Sequence, residues 1–460
     1  MSEQRVDRAV VLGGGLAGLL AATMLAEVYP EVLVVDRDEL AGVAGYRRGV
    51  PHGRHAHGLV GRGYQILDEL FPGLMADMQA AGVRPGDFNG DIRWYFNGQR
   101  LRPARSGLIS VPCTRPVIEQ HLRNRVEKIR GVRFLEQYDI VGLETTPDTR
   151  RVIGARVQRH DGACGPEVLR ADLVIDATGR GSRTPAWLEE LGYSRPAEDR
   201  VKVDLAYTTR HYRVPSDPFG SDIAIIAAAT PAHPRGAFYY RLPGDGDRVE
   251  LSLTGVLGDH PPADPEGFLE FVRSVPVPDI YRSVRESEPL DEPTTFRFPA
   301  SVRRRYEQLA RFPEGLLVMG DAVCSFNPVY AQGMTVAALE SLTLREQLRK
   351  AAVPRPQDFF RGISRRIDSP WEFAAIADLG YSGVEGIRTA KVRMINAYIA
   401  RLQQAAVHDA SLTNAFMRVA GLIDEPTALL HPDKVLRVLR RSIRQPSQTP
   451  AAAPPVPARD

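Results

Sequence analysis

Apolar and small residues alternate over the first forty positions in a pattern that predicts a strand, a turn, a helix and a second strand. The apolar runs at 9–12 and 32–35 predict the strands, and the helix formers at 19–27 predict the helix between them. Three glycines in G-x-G-x-x-G spacing follow the first strand: Gly13, Gly15 and Gly18. Asp36 ends the second strand 23 positions after Gly13, close to the ~20 typical of a dinucleotide-binding unit. The pattern predicts glycines against a pyrophosphate and an acid on a ribose, without separating FAD from NAD.

A second strand-turn-helix pattern lies at 315–340. The apolar run 316–319 predicts a buried strand with a glycine and an acid at its carboxyl end, where open α/β sheets bind ligands. The Asp321 carboxylate accepts hydrogen bonds, which suits the hydroxyl groups of a ribityl-like polyol. The helix that follows offers free N–H groups to an electron-rich ring edge. The residues expected at the cofactor here are Gly320, Asp321, Pro328, Gly333 and Met334.

Hydrophobic periodicity changes twice in the rest of the chain. Residues 201–299 contain repeated short strands joined by Gly, Pro and Asp turns, which is typical of an antiparallel sheet. From 355 to 444 the apolar positions recur at helical spacing, and we expect these helices to pack as a small cap on the flavin domain. The Pro- and Ala-rich end at 445–460 is predicted to be a disordered tail.

The N-terminal glycine unit and the Gly320-Asp321 segment together resemble the flavoprotein monooxygenases of the aromatic hydroxylase type. In that family the first site holds the ADP half of FAD and the second holds the ribityl and isoalloxazine half. The resemblance therefore implies FAD as cofactor and O2 as co-substrate. Thr178 and Gly179, in a small-residue turn after a predicted strand, are expected at the cofactor too. The family usually has an Asp-Gly pair there; because Thr178 replaces the Asp, direct reduction by NAD(P)H and reduction through a separate flavin reductase both stay open.

The resemblance implies an α/β fold with three parts. A Rossmann-like FAD-binding domain of the aromatic hydroxylase type is expected to be discontinuous, at 1–90, 115–200 and 300–350. An antiparallel β-sheet substrate domain, at 91–114 and 201–299, is inserted into it. A C-terminal helical region, at 355–444, completes the predicted fold.

Arginines near the predicted nucleotide site are candidates for the FAD phosphates, because a guanidinium binds phosphate bidentately. Arg48 lies in the basic loop RRGVPHGRHAH at 47–57, and Arg37 directly follows the ribose-binding acid. A solvated basic loop is the alternative interpretation of 47–57. Arg115 is a further candidate, since the matching residue in related flavoproteins lies beside the cofactor.

Histidine and cysteine usage predicts no metal and no disulfide framework. His55 and His57 are close in sequence, but no Cys or acid stands at ligand spacing from them. The three cysteines, Cys113, Cys164 and Cys324, are scattered. A reducing cytoplasm is the expected location.

Charge and hydropathy exclude several partner classes. The 59 basic and 56 acidic residues are nearly balanced, which gives no electrostatic case for nucleic acid. We expect no signal peptide and no membrane span, since no apolar run approaches ~20 residues. The basic amphipathic stretch KVLRVLRRSIR at 434–444 leaves weak peripheral association with an anionic membrane open. The preferred interpretation is a surface helix that docks through Val435, Leu436, Val438 and Leu439.

A narrower resemblance comes from several runs taken together. The runs are Arg48-Gly49-Val50-Pro51, His55-Ala56-His57, Ala177-Thr178-Gly179, Gly320-Asp321-Ala322, Cys324-Ser325-Phe326-Asn327-Pro328 and Gln332-Gly333-Met334-Thr335. They look like the bacterial FAD-dependent epoxidases of polyether ionophore pathways. This resemblance implies epoxidation of a hydrophobic polyene of polyketide type through a flavin C4a-hydroperoxide, as in antibiotic biosynthesis. No catalytic residue is assigned, because epoxidation needs no base. The residues expected to line the substrate are Trp94, Phe96, Tyr207, Phe238 and Tyr240.

Three other activities stay open. An aromatic hydroxylase of a natural-product pathway is the main alternative, because the same oxygen chemistry attacks phenols. A flavin halogenase expects a Trp-x-Trp pair and a catalytic lysine, whereas the tryptophans here are isolated. A prenyl-chain reductase is the non-oxygenating alternative.

Overall fold

A computed structural model describes residues 7–162, 165–244 and 246–444. The strands are β1 (Arg8–Leu12), β2 (Glu31–Asp36), β3 (His57–Leu59), β4 (Gly86–Asp87), β5 (Ile92–Phe96), β6 (Gln99–Arg100), β7 (Ile109–Cys113), β8 (Val132–Glu136), β9 (Tyr138–Thr145), β10 (Val152–Arg159), β11 (Glu167–Arg170), β12 (Leu173–Asp176), β13 (Glu198–Val201), β14 (Leu205–Arg213), β15 (Ala224–Ala228), β16 (Arg235–Arg241), β17 (Arg248–Gly255), β18 (Glu288–Pro289), β19 (Thr294–Phe298), β20 (Ser301–Arg304), β21 (Leu316–Val318) and β22 (Cys324–Ser325). The predicted tail at 445–460 and Cys164 lie outside the described residues.

Helices connect and cover these strands. They are α1 (Leu16–Leu25), α2 (Gly61–Leu70), α3 (Leu74–Ala80), α4 (Arg115–Val126), α5 (Thr184–Glu190), α6 (Pro265–Ser274), α7 (Pro278–Val284), α8 (Gly333–Leu348), α9 (Pro356–Asp378), α10 (Ala390–Ala406), α11 (Ala410–Ala420) and α12 (Pro432–Arg444). Short 3-10 turns lie at Pro51–Arg54, Gly179–Gly181, Tyr306–Gln308, Gly320–Ala322, Pro328–Tyr330 and Pro426–Leu430. None of the helices within the described ranges is long and apolar enough to cross a membrane.

A five-stranded parallel sheet in the order β21-β12-β1-β2-β8 forms the nucleotide-binding half of the molecule. Its central strands are fully buried because helix α1 and strands β9 and β10 of a smaller sheet pack against them, which explains their continuous apolar runs. The register places Leu12 beside Asp176 and Asp176 beside Val318. The carboxyl ends of β1, β12 and β21 therefore meet at one edge, and the three predicted cofactor segments start there. The predicted α/β fold with a Rossmann-like parallel sheet is confirmed.

A second, larger sheet has the order β18-β14-β17-β16-β15-β5-β6, and β19 also pairs with β14. The antiparallel prediction is right for most pairs, but β5 and β15 run parallel. This difference arises because β5 comes from a distant part of the chain, and parallel neighbours need a long crossover in place of a hairpin. Three smaller sheets have the orders β11-β10-β9, β13-β20-β22 and β3-β7-β4, and the first of them packs on the parallel sheet.

The two faces of the larger sheet have different partners. On one face Tyr239 and Leu251 are fully buried and pack with Phe268 and Phe271 of α6. Side chains alternate along each strand, so the neighbours Tyr240 and Phe238 point to the other face. That second face looks toward the parallel sheet and carries most of the predicted substrate residues.

Helices α10, α11 and α12 pack on the larger sheet. Leu402 of α10, Phe416 of α11 and Val438 of α12 belong to one apolar cluster with Trp94 and Phe96 of β5. The ring centroids of Phe96 and Phe416 lie 5.5 Å apart in an edge-to-face arrangement. The expectation of a cap on the flavin domain is right for α9, which packs against α8, and wrong for α10, α11 and α12. Helical periodicity showed which side of each helix is apolar, but it carries no information on which sheet covers that side.

Candidate cofactor and substrate site

One large cavity, with a volume of about 1240 Å³, lies between the carboxyl edge of the parallel sheet, the larger sheet and the C-terminal helices. Small-ligand pockets usually have ~300–1,000 Å³, so this cavity has room for a cofactor together with a substrate. The predicted residues that line it are Gly13, Gly15, Asp36, Arg37, Arg115, Thr178, Gly179, Gly320, Asp321, Pro328, Gly333, Met334, Trp94, Phe96, Tyr207, Phe238 and Tyr240. Gly18 and Arg48 do not line it.

The three glycines of the N-terminal turn have different surroundings. Gly13 has φ +99°, and a Cβ there would lie 2.6 Å from the carbonyl oxygen of Ala177, so only glycine fits. A Cβ on Gly15 would meet nothing within 4 Å, because this position faces the open cavity. A Cβ on Gly18 would lie 1.8 Å from the carbonyl oxygen of Gly13, so Gly18 permits close packing of α1 on the turn. This division of roles matches a dinucleotide-binding turn.

The side chain of Asp36, at the end of β2, forms hydrogen bonds with neighbouring residues of the protein. Its Oδ2 accepts hydrogen bonds from Gly14 N at 2.6 Å and from the Arg47 guanidinium at 3.4 Å. Arg47 also donates to Glu119 of α4 at 2.9 Å. Burial acts to raise the pKa of Glu119, but Arg115 and Arg47 outweigh it and hold that pKa at about 2. The Glu119 carboxylate is therefore ionised at neutral pH.

The basic loop at 47–57 is not a solvated loop. The arginine of the Arg47-Arg48 pair that lines the cavity is Arg47, whereas Arg48 is exposed. Sequence reasoning chose the wrong neighbour for cavity contact, because two adjacent arginines have the same local signal and only the acids of β2 and α4 distinguish them. His52 and His57 also line the cavity.

All three histidines of this loop are neutral at physiological pH. Burial lowers the pKa of His55 to about 3 and that of His57 to about 4, and it lowers the pKa of His52 as well. His57 donates its Nδ1 hydrogen to the carbonyl oxygen of His55 at 2.8 Å, and His55 Nδ1 lies 2.8 Å from Thr209 Oγ1. Among the described residues, no group of three or more His, Cys, Asp or Glu side chains is arranged to hold a metal ion.

Asp176, which sequence reasoning missed, shapes the turn that contains Thr178 and Gly179. It is fully buried, and its Oδ1 accepts from the backbone N and the hydroxyl of Thr178 at 2.9 and 2.6 Å. Its Oδ2 accepts from the hydroxyls of Ser182 and Thr184, each at 2.5 Å. The signal in the sequence was an acid at the end of a strand followed by three hydroxyl residues.

The Gly320-Asp321 turn lies directly against the Gly179 turn. A Cβ built on Gly179 would lie 4.0 Å from Asp321 Cβ, and one built on Gly333 would lie 3.9 Å from Asp321 Oδ1. Burial raises the pKa of Asp321, while the nearby Arg115 and Arg180 act in the opposite direction. The carboxylate thus stands where three cofactor segments converge.

Polar groups that lack protein partners point to a bound polar molecule. Gln332 precedes α8, lines the cavity, and neither its amide oxygen nor its amide nitrogen has a partner among the described residues. The Nη1 of Arg180, another lining residue, is likewise buried without one. Helix α8 starts without a side-chain cap, so the N–H groups of its first turn are free for a ligand.

The opposite wall is aromatic and apolar. Five of its members were predicted from the sequence, and Phe238 and Tyr207 stack with ring centroids 6.4 Å apart. The C-terminal helices add wall residues that sequence reasoning did not include: Phe373, Ile395, Tyr398, Ile399, Phe416, Met417 and Leu429. Their apolar spacing was visible, but it is indistinguishable from ordinary core packing.

The residues of the cavity fit FAD. Gly15 leaves space for a pyrophosphate, Asp36 and Asp321 present carboxylates at the two ends of a long cofactor, and unpartnered polar groups surround the second turn. The model of the FAD binding domain family matches residues 6–353. FAD is therefore the cofactor of this protein.

One protein of similar sequence and two solved structures are similar to this chain. Protein Rv3254 of Mycobacterium tuberculosis is 33% identical over 391 residues, covering 82% of this chain and 81% of the relative. The flavin-dependent brominase Bmp2 has the same fold, with a TM-score of 0.66 and 16% identity over 95% of this chain and 100% of that one. The p-nitrophenol 4-monooxygenase PnpA from Pseudomonas putida has a TM-score of 0.64 and 14% identity, over 92% of this chain and 99% of that one. The chain belongs to the FAD binding domain family.

Proposed function

We propose that this protein is an FAD-dependent monooxygenase that epoxidises carbon-carbon double bonds of a hydrophobic polyene of polyketide type. One oxygen atom of O2 enters the alkene, and the other leaves as water with two electrons and one proton from NAD(P)H and one further proton. The observation that carries the proposal is the aromatic and apolar wall that faces the Gly320-Asp321 turn across one continuous cavity. FAD supplies the oxygen chemistry when bound.

The cofactor is proposed to span the carboxyl edge of the parallel sheet. Gly13 and Gly15 give the pyrophosphate close approach to the backbone, and Asp36 binds the ribose. Arg37 and Arg115 line the cavity where they can meet phosphate. Arg48 is not included, because it does not line the cavity.

The flavin half is proposed to lie at the second turn. Asp321 accepts hydrogen bonds from the ribityl hydroxyls, and Thr178 and Gly179 contact the same part of the cofactor. The free N–H groups at Gly333 and Met334 stabilise negative charge at the pyrimidine edge of the ring. Pro328 shapes the wall on the substrate side.

The substrate is proposed to lie against the larger sheet. Trp94, Phe96 and Phe238 supply apolar surface that holds an alkene and excludes water. Burial raises the pKa of Tyr240 far above its usual range, so this wall carries no phenolate at physiological pH. Epoxidation removes no proton from the substrate, so it needs no phenolate at this wall.

Aromatic hydroxylation is the second candidate, because the stacked rings of Tyr207 and Phe238 also suit a planar substrate. A halogenase would need a free lysine in the cavity. Lys391 lines the cavity but pairs with Glu372, which gives that activity less support.

The test supplies the purified FAD-loaded protein with NADPH, with and without a flavin reductase, under 18O2. The substrates are a linear polyene and a phenol of similar hydrophobicity, and products are identified by mass spectrometry. We expect one 18O atom in an epoxide of the polyene. Ring hydroxylation of the phenol alone would favour the second candidate, and saturation of a double bond without 18O would favour a prenyl-chain reductase.

The requirement for the reductase decides the electron source. If NADPH alone bleaches the flavin rapidly, the Thr178-Gly179 turn supports direct reduction. If bleaching needs the reductase, this protein receives reduced flavin from a partner.

A further inference from the structure

Helix α12 has an apolar face that no other part of the described chain covers. Val438 is buried against the fold, whereas Leu436 and Leu439 are 51% and 48% exposed. The expectation that both leucines dock inward is therefore wrong, because α12 rotates Val438 toward α10 and turns the leucines outward. Arg437 and Arg440 are exposed beside them. Leucine and arginine thus share the outer side of one helix.

Positive charge is concentrated in this part of the chain. Residues 386–441 contain nine Lys or Arg and four Asp or Glu, whereas the whole chain has 59 and 56. Part of the acidic charge is already paired, since Asp409 contacts Arg437 and Asp424 contacts Arg418. These pairs also neutralise Arg418 and Arg437, so the surplus of positive charge lies on α10 and on the rest of α12.

The mouth of the substrate cavity opens next to this helix. Leu430, two positions before α12, lines the cavity and is 55% exposed. Glu372 and Lys391 also line the cavity and are largely exposed, which marks the other side of the mouth. Met394 of α10 is 68% exposed in the same region, and α10 packs against α12. Exposed apolar side chains thus lead from the surface to the cavity.

We propose that Leu430, Leu436, Arg437, Leu439 and Arg440, the docking surface, bind the headgroup region of an anionic lipid bilayer. Interleaved leucines and arginines on one helix side are the pattern of helices that lie in a membrane interface. A second copy of this chain is disfavoured as the occupant, because it would bring the same positive charge into contact. Docking would place the cavity mouth at the bilayer, where an apolar substrate concentrates. This last consequence rests on the proposed function, whereas bilayer binding itself does not.

The test measures flotation of the full-length FAD-loaded protein with vesicles. One vesicle contains phosphatidylcholine only, and the other contains a substantial fraction of phosphatidylglycerol. We expect binding to the anionic vesicle at about 0.1 M salt and loss of most binding at about 1 M, where screening shortens to a few ångströms. The triple variant Leu436→Ser, Leu439→Ser and Arg440→Gln should bind roughly tenfold less.

A matched control carries Val168→Ser and Arg130→Gln, which are exposed positions on the parallel-sheet half. It should bind as the parent protein does. Protection of 432–444 from hydrogen exchange on addition of anionic vesicles is an independent measure that needs no variant.

Three outcomes would overturn the proposal. The first is that the protein does not bind anionic vesicles at low salt, and the second is that the control variant loses as much vesicle binding as the triple variant. The third is that light scattering shows a dimer, which the triple variant dissociates, while vesicles have no effect. Because flotation needs no turnover, vesicle binding and the epoxidation proposal fail independently.

Discussion

The buried carboxylate of Glu340 accepts a hydrogen bond from the backbone N–H of Gly320 at 2.5 Å, which ties helix α8 to the turn before Asp321. Glu340 is 1% exposed and lies two helical turns after Gly333. Burial raises its pKa to about 8, and the nearby Asp321 adds to the rise, while the Gly320 N–H acts against it. The proton held by Glu340 at neutral pH limits the negative charge behind the flavin site.

This relationship makes stability depend on pH. The folded pKa of Glu340 is above its ordinary value of 4.5, so the folded state holds the proton longer than the unfolded state. Its contribution to the free energy of unfolding is complete below about pH 4.5 and is lost as pH rises toward about 8. Glu340→Gln keeps an acceptor for Gly320 and removes this loss. As pH rises from 5 to 8, the free energy of unfolding of the variant should increase relative to that of the parent by on the order of 1–3 kcal/mol.

Denaturant unfolding of both proteins across this pH range checks the prediction. Glu346→Gln, an exposed change on the same helix, is the control. A constant difference between Glu340→Gln and the parent at all pH values would show that Glu340 is ionised in the folded state.

Replacing Asp321 tests the second cofactor turn. Asp321→Ala removes the carboxylate at the point where the Gly179 and Gly333 segments meet, while the buried framework behind it stays. Loss of a charged hydrogen bond costs ~1.5–3 kcal/mol, so FAD affinity should fall roughly 10- to 100-fold. Fluorescence titration of the apoprotein measures this, and Asp321→Asn should lose less. Undiminished affinity in the alanine variant would remove Asp321 from the site.

Two glycines of one motif should respond differently to the same change. Gly15→Val places its side chain in the open cavity, so the apoprotein should keep its melting temperature and lose FAD binding. Gly18→Val places its side chain against the Gly13 carbonyl and should destabilise the apoprotein itself. Thermal unfolding and flavin content of each variant separate the two effects. Normal FAD content in Gly15→Val would contradict the assignment of this turn.

Neighbouring arginines give a similar contrast. Arg47→Leu leaves Glu119, Asp36 and Asp38 without their shared partner, and breaking a buried ion pair costs ~3–5 kcal/mol. Arg48→Leu changes an exposed side chain and should alter stability by less than ~0.5 kcal/mol. Chemical denaturation with flavin quantification compares them. Loss of FAD from a stable Arg48→Leu protein would restore Arg48 as a phosphate ligand.

The sequence by itself determined the parts of the protein whose signal is local. The glycine spacing with Asp36, and the strand that delivers Gly320 and Asp321, follow from backbone geometry and from alternation within a few residues. They predicted the α/β fold and a dinucleotide site, and the resemblance to the flavoprotein monooxygenases implied that the dinucleotide is FAD. The strand residues Phe238 and Tyr240 were expected at the substrate from the resemblance, and the two-residue period of a strand is why both lie on one wall.

Only the tertiary structure decided the relations between distant segments. Acids on β2 and α4 hold Arg47, and not Arg48, at the cavity. The fold also places the Glu340 carboxyl within hydrogen-bond distance of the Gly320 backbone. It also paired β5 parallel to β15 and turned Leu436 away from the fold. Each of these contacts joins segments that are far apart in the chain. The local sequence of a segment does not show which distant segment packs against it.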